Sequence, residues 1–116
     1  MTKHEDLPYI NHILDAINDI QESVKSISKE EFLDNKDIRD ANIRRLEIIG
    51  EAVKNLSEDF KNKNKSVEWK KIAGTRDVLI HAYFDVDVDL LWAILEKDIP
   101  ELKLKIRKAI IELSDK

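Results

Sequence analysis

Cysteine is absent from this sequence of 116 residues, and glycine and proline occur only twice each. Without cysteine there can be no disulfide and no thiolate metal site. Few glycines and prolines, with 6% aromatic and 38% charged residues, favour helices over a turn-rich sheet protein. No apolar run approaches the length of a membrane span, and Met1 to Asp6 lacks the basic and apolar regions of a signal peptide. We therefore expect one cytoplasmic, all-α domain over residues 1–116.

The net charge of −4 argues weakly against nucleic-acid binding, but the charges are unevenly distributed. Residues 36–76 carry 11 basic and 7 acidic side chains, whereas both flanking segments are acidic. Such a basic middle third is more often a solvated helix surface, yet it can also guide RNA.

Apolar residues recur every three or four positions, which predicts an antiparallel bundle of four or five main helices. The first spans about 7–27 and the second about 37–56. Ser28 and Glu31 have the spacing of a capping box before a short helical turn around Phe32. Residues 57–66 are polar and predict an exposed loop.

The second half of the chain predicts a short helix over 67–73, ended by Gly74 as a C-terminal cap. Thr75 is then expected to cap the next helix. Another helix begins near Leu91, and Pro100 lies in the first turn of the last one. Gly50, inside the second long helix, predicts a close helix crossing, because glycine there costs about 1 kcal/mol relative to alanine.

The segment from Arg76 to Tyr83 places polar side chains within an otherwise apolar helix. Asp77 and His81 are four residues apart, so the carboxylate can orient the imidazole. Arg76 and His81 diverge by about 140° around an ideal helix, so one copy makes a poor compact site. Two helices paired across a two-fold axis would bring both residue types into one cleft, which predicts a homodimer.

These residue types suit RNA cleavage without a metal or other cofactor. Histidine titrates near neutral pH and can move a proton at the ribose 2′-hydroxyl or the leaving oxygen. Arginine can hold the phosphate. The alternative is a buried helix whose Arg and His only pair with neighbouring carboxylates. His4 and His12 are interpreted as ordinary surface residues.

A calcium loop is a competing interpretation of Asp85, Asp87, Asp89 and Glu96, which have the spacing of its ligands. The position that requires glycine is Leu90, and the following residues have a helical pattern. We therefore interpret the aspartates as favourable charge at a helix start.

The R-x4-H-x-Y pattern of Arg76, His81 and Tyr83 resembles the HepT-like toxins of the HEPN superfamily. The segment Leu46–Ala52, which contains Ile-Gly-Glu-Ala, is similar to a helix of that family. Trp69, Ile72 and Gly74 resemble the lead into the motif, and Trp92 with Asp98–Pro100 resembles its exit. The resemblance covers nearly the whole chain.

This resemblance implies a ribonuclease toxin with Arg76 and His81 as catalytic residues, leaving a 2′,3′-cyclic phosphate and a 5′-hydroxyl. Asp77 would support them at a position where many relatives carry Asn. Tyr83 matches a tyrosine that a nucleotidyltransferase antitoxin modifies with AMP. Glu51 would be a helper near the Arg, or else a surface residue paired with Lys54 or Asn55.

Two other functions remain open. The bundle could be a non-catalytic module that binds and regulates a nucleotidyltransferase, or a helical nucleotide-binding or sensor domain.

Overall fold

A computed structural model describes the backbone of residues 3–81 and 88–114 and the side chains of residues 5–75 and 88–113. This part of the chain contains helices and no strand, which confirms the all-α class. The helices are α1 Lys3–Val24, α2 Lys29–Asp34, α3 Lys36–Lys54, α4 Glu58–Lys63, α5 Trp69–His81, α6 Val88–Ala93 and α7 Ile99–Ser114. A π-helical stretch, Ile94–Asp98, joins the last two. None of the helices described is long and apolar enough to cross a membrane.

The core lies between α3 and the helices that pack on it. Helix α3 contacts α1 on one side and α5 on another, and α7 closes the bundle against α1. The apolar stripe predicted for the first helix is confirmed, because Ile10, Ile13, Ile17 and Ile20 are fully buried. That helix ends at Val24 rather than Ile27, since the chain turns there and becomes extended at Ser28.

The predicted capping box is present at the start of α2. The Ser28 hydroxyl accepts a hydrogen bond from the Glu31 amide, and the Glu31 carboxylate accepts one from the Ser28 amide, each at 3.1 Å. The short helix buries Phe32, whose ring packs against Trp92 of α6 with centroids 5.0 Å apart. These contacts fasten α2 to the second half of the chain.

The prediction of an exposed loop over residues 57–66 was wrong for its first part. Ser57 caps α4 by accepting from the Phe60 amide at 3.1 Å, and Phe60 is buried against Trp69 with ring centroids 5.9 Å apart. The Trp69 indole N–H donates to the carbonyls of Lys61 and Asn64. The buried Phe60, the Ser57 cap and the Trp69 hydrogen bonds together hold this helix in place.

The predicted helix boundary at Gly74 was also wrong. Helix α5 runs unbroken from Trp69 to His81, and no described glycine has the positive φ that a glycine cap requires. Thr75 does not cap a helix, because its hydroxyl donates to the Lys71 carbonyl one turn earlier at 3.0 Å.

The close helix crossing predicted at Gly50 is confirmed. A Cβ atom placed on this buried glycine would lie 3.4 Å from the backbone oxygens of Ile72 and Ala73. The lack of a side chain therefore allows α3 to approach the backbone of α5.

Helices α6 and α7 form one helical rod interrupted by the π-helical stretch. The Ile99 amide donates to the Ile94 carbonyl five residues earlier. Pro100, which has no N–H to donate, follows directly in the first turn of α7 as predicted. Leu91, Leu95, Ile99 and Leu102 are buried along the rod.

Candidate functional site

The motif helix α5 carries Arg76, Asp77 and His81 on one continuous stretch of backbone. Helical geometry separates the Cα positions of Arg76 and His81 by about 140° around the axis and those of Asp77 and His81 by about 40°. The side chains of all three lie outside the described residues, and Tyr83 does so entirely. The catalytic and modification roles assigned to them stay predictions.

Helix α3 supplies the closest described neighbours of this motif. Its Gly50 meets α5 at Ile72 and Ala73, and Arg76 follows Ala73 by three residues, a rise of about 5 Å along the helix. The point at which α3 crosses α5 is therefore about one helical turn from Arg76, the first residue of the motif.

Glu51 follows Gly50 and is exposed. The Asn55 side chain does reach it, but donates to its backbone oxygen at 2.9 Å rather than to its carboxylate. Glu51 is therefore an exposed residue that contacts Asn55 through its backbone, and its role as a helper of Arg76 stays a prediction.

Glu51 lines a cleft of about 420 Å³ between α1 and α3, called here the α1–α3 cleft. Its polar and aromatic lining is Tyr9, His12, Arg44, Glu47, Glu51 and Asn55. Arg44 is largely exposed, and its Nη1 lies 3.8 Å from Oε2 of Glu47. The cleft therefore combines two rings, a cation, carboxylates and an amide in one place.

Tyr9 and His12 were not predicted as site residues. They are three positions apart on α1, and their rings meet edge to face with centroids 6.3 Å apart. Their i, i+3 spacing was visible in the sequence, but nothing in the sequence placed them opposite Arg44 and Glu51. That arrangement depends on how α1 packs against α3.

A second cavity, of about 260 Å³, lies between α3, α5 and the rod formed by α6 and α7. Its lining is mainly apolar and includes Leu46, Ile49, Ile72, Ile94, Ile99 and Leu102. Thr75, the residue before Arg76, also faces it. The charged lining of this cavity includes Lys71 and Lys105, and Lys105 is paired with Glu101 at 3.1 Å.

Of the four acidic residues with the spacing of a calcium loop, only Asp89 and Glu96 lie within the described residues. Asp89 forms an ion pair with Lys29 at 2.8 Å, and the residues after it are helical, as predicted. Asp85 and Asp87 lie outside the described residues. Among the side chains that the structure describes, no three His, Asp or Glu residues are grouped so as to hold a metal ion.

Comparison with known proteins connects this helical bundle and its motif helix to a family. Residues 13–109 match the family described as "Ribonuclease HepT-like". No solved structure matches the chain significantly.

Several individual proteins are similar along most of the chain. A protein of Thermococcus cleftensis named "Probable ribonuclease HepT" is 48% identical over 105 residues, which cover 90% of this chain and 94% of that protein. A protein of Caldanaerobacter subterraneus named "Putative RNase" is 46% identical over 103 residues, covering 89% of this chain and 92% of its own length. A Methanocaldococcus jannaschii protein named "Gamma-glutamylcyclotransferase and putative RNase" is 48% identical over 105 residues, 90% of this chain but only 47% of that protein.

Three observations define the class of protein: the all-helical bundle, the helix with the R-x4-H motif, and the family match over most of the chain. The chain belongs to the HepT-like ribonuclease family.

Proposed function

We propose that this chain is the toxin of a toxin–antitoxin pair and cleaves RNA without a metal ion. The observation that carries the proposal is the family match over residues 13–109, which contains the whole of α5 with Arg76 and His81. The similar proteins named as ribonucleases support the same activity.

In the proposed reaction the ribose 2′-hydroxyl attacks the adjacent phosphorus, and the P–O5′ bond breaks. His81 takes the proton of the hydroxyl or returns one to the departing 5′-oxygen. Arg76 holds the phosphate and balances the charge that develops on it. Asp77, one helical turn before His81, orients the imidazole. The products are a 2′,3′-cyclic phosphate and a 5′-hydroxyl, and no other reactant is needed.

The proposal includes a second copy of the chain and an antitoxin. Because Arg76 and His81 occupy positions about 140° apart around the axis of α5, two α5 helices related by a two-fold axis would form a composite cleft. The antitoxin would be a nucleotidyltransferase that attaches AMP to Tyr83, which lies two residues after His81 in the sequence.

Cleavage of RNA by the purified protein tests the proposal. We expect cleavage to persist in EDTA and mass spectrometry to detect the cyclic phosphate. His81→Ala and Arg76→Ala should each lower the rate by about 10² to 10⁴, the usual contribution of a positioned acid or base and of a charge-stabilising donor.

Arg107→Ala is the matched control, because Arg107 is exposed on α7 and should be dispensable. Full activity in His81→Ala would contradict the mechanism. A folded protein that cleaves no RNA yet binds a nucleotidyltransferase would favour the non-catalytic binding module.

A further inference from the structure

The α1–α3 cleft contains the groups with which proteins bind the bases of single-stranded RNA. Such bases are recognised by stacking on aromatic or guanidinium planes and by hydrogen bonds to their edges. Tyr9 and His12 provide rings, Arg44 provides a guanidinium, and Glu51 provides acceptor oxygens. The proposed mechanism uses none of the first three.

The two rings are arranged so that one can accept a stacked base. Tyr9 is half-buried and packs against the core, whereas His12 is exposed. Their planes meet at 87°, so the edge of one ring contacts the other and the rings do not cover each other face to face. A planar base can therefore stack in the cleft without displacing a core side chain.

The α3 side of the cleft can read the edge of that base. Glu51 is exposed and lines the cleft, and Asn55 donates its side-chain amide to the Glu51 backbone oxygen rather than to the carboxylate. The Glu51 carboxylate can therefore accept hydrogen bonds from a bound base. A carboxylate matches two adjacent N–H donors, which guanine has at N1 and N2, while uracil has one donor flanked by two acceptors.

Helix α3, which lines the cleft, also crosses the motif helix. Glu51 is adjacent to Gly50, which contacts Ala73, and Arg76 lies about one helical turn beyond. Arg44 is exposed two turns before Glu51 on the same helix, where it can contact a phosphate of the same strand.

We propose that the α1–α3 cleft is a base-binding subsite that takes a guanine of the RNA strand beside the bond to be cleaved. In this subsite the base stacks on the Tyr9 ring beside His12, and Glu51 accepts from its N1–H and N2–H. The assignment rests on the proposed ribonuclease function for its substrate class.

Steady-state cleavage of short RNAs that differ only in one base next to the scissile bond tests the subsite. The wild-type protein should prefer guanine over uracil. Glu51→Gln should abolish that preference, since its amide N–H₂ cannot accept a hydrogen bond and would face one of the two base donors. Glu112→Gln, an exposed glutamate on α7, is the matched control.

Tyr9→Leu should raise KM for the guanine substrate about tenfold or more with little change in kcat, and Tyr9→Phe should restore it, because stacking is worth about that much per base. A uniform fall in kcat for every base in Glu51→Gln would instead make this residue a helper of Arg76 and overturn the subsite.

Titration of the labelled protein with GMP and UMP, followed by NMR, separates this proposal from the ribonuclease function. GMP should shift the His12 ring and Asn55 side-chain signals, and UMP should not. If RNA is cleaved but GMP leaves these signals unmoved, the subsite is wrong and the ribonuclease stands. If GMP shifts them but no RNA is cleaved, the subsite stands and the proposed function is wrong.

Discussion

Asp6 connects the first helix to Ser57, the N-terminal cap of α4, which lies 51 residues later in the chain. Its Oδ1 accepts from the Ser57 amide and its Oδ2 accepts from the Ser57 hydroxyl, each at 2.7 Å. The Ser57 oxygen in turn accepts from the Phe60 amide, so one buried carboxylate supports the cap of α4. Its negative charge also lies near the positive end of that helix.

Replacing Asp6 with alanine should lower the free energy of unfolding by about 1–3 kcal/mol, because the partly buried Ser57 donors would lose their acceptor. Urea denaturation measures the change. Asp15→Ala, at an exposed position of α1, is the control and should stay within about 0.5 kcal/mol of the wild type. Equal effects of the two variants would show that the link to Ser57 does not stabilise the fold.

Tyr83→Phe removes one oxygen atom and thereby tests whether AMP attached to Tyr83 silences the toxin. The variant keeps the ring and removes the acceptor of the nucleotide. Cells that carry it should resist rescue by the nucleotidyltransferase, because the bulky, charged group that would repel RNA cannot be attached. Full rescue of Tyr83→Phe, with no AMP found on wild-type Tyr83 by mass spectrometry, would indicate another route of inhibition.

Among single residues, the sequence singles out those whose polarity differs from that of their neighbours, such as Arg76 and His81 in an otherwise apolar helix. It does not predict Asp6 or Asn42, the two polar residues that are buried in the described part of the chain. Asn42 accepts from Ser23 at 3.2 Å and Arg45 at 3.1 Å. The burial of Asp6 depends on a partner 51 positions away, and that of Asn42 on the packing of α1 against α3. Neither has a local signal in the sequence.

Among the helices, the two glycines illustrate what a pattern can and cannot predict. Gly50 was correctly predicted at a crossing. A glycine inside a strongly periodic helix lowers helix stability, so it is expected where another backbone approaches closely. Gly74 was incorrectly predicted as a cap from the same residue type, since the periodicity over 67–73 is too short to show that the helix continues. Both glycines lie inside helices without a positive φ, and only the neighbouring chain distinguishes them: a Cβ at Gly50 meets the α5 backbone, whereas one at Gly74 meets nothing within 4 Å.

Gly74→Ala should therefore stabilise the protein by up to about 1 kcal/mol, the helix propensity gained in a helix interior. A Cβ atom at this position would meet nothing within 4 Å. Gly50→Ala should gain less, because its Cβ would press on two carbonyls at 3.4 Å, and Gly50→Val should destabilise the crossing. A loss of stability in Gly74→Ala, measured by urea denaturation, would contradict a continuous α5.

For the whole molecule, the central expectation is association of two chains. The described helices form a body of about 46 × 29 × 20 Å, and α5 is packed by α3 along one side. A two-fold partner at the motif helix would complete the composite cleft and leave the α1–α3 cleft open to the RNA strand.

Sedimentation at micromolar concentration should give a mass twice the 13.5 kDa of one chain. A charge reversal at Asp77 should weaken the dimer if the motif helix is at the interface, whereas the same change at Asp19, exposed on α1, should not. A monomer at this concentration would rule out a cleft composed of two copies.

The π-helical stretch has a consequence for comparing this chain with related ones. A ring closed by the Ile99 amide and the Ile94 carbonyl contains one residue more than the ring of an ordinary α-helical turn. The rod therefore absorbs an extra residue locally, and the buried positions on either side, Leu91 and Ile106, keep facing the core. Relatives one residue shorter between these positions should have an uninterrupted helix there, and an alignment gap in this stretch would mark a length difference that leaves the core intact.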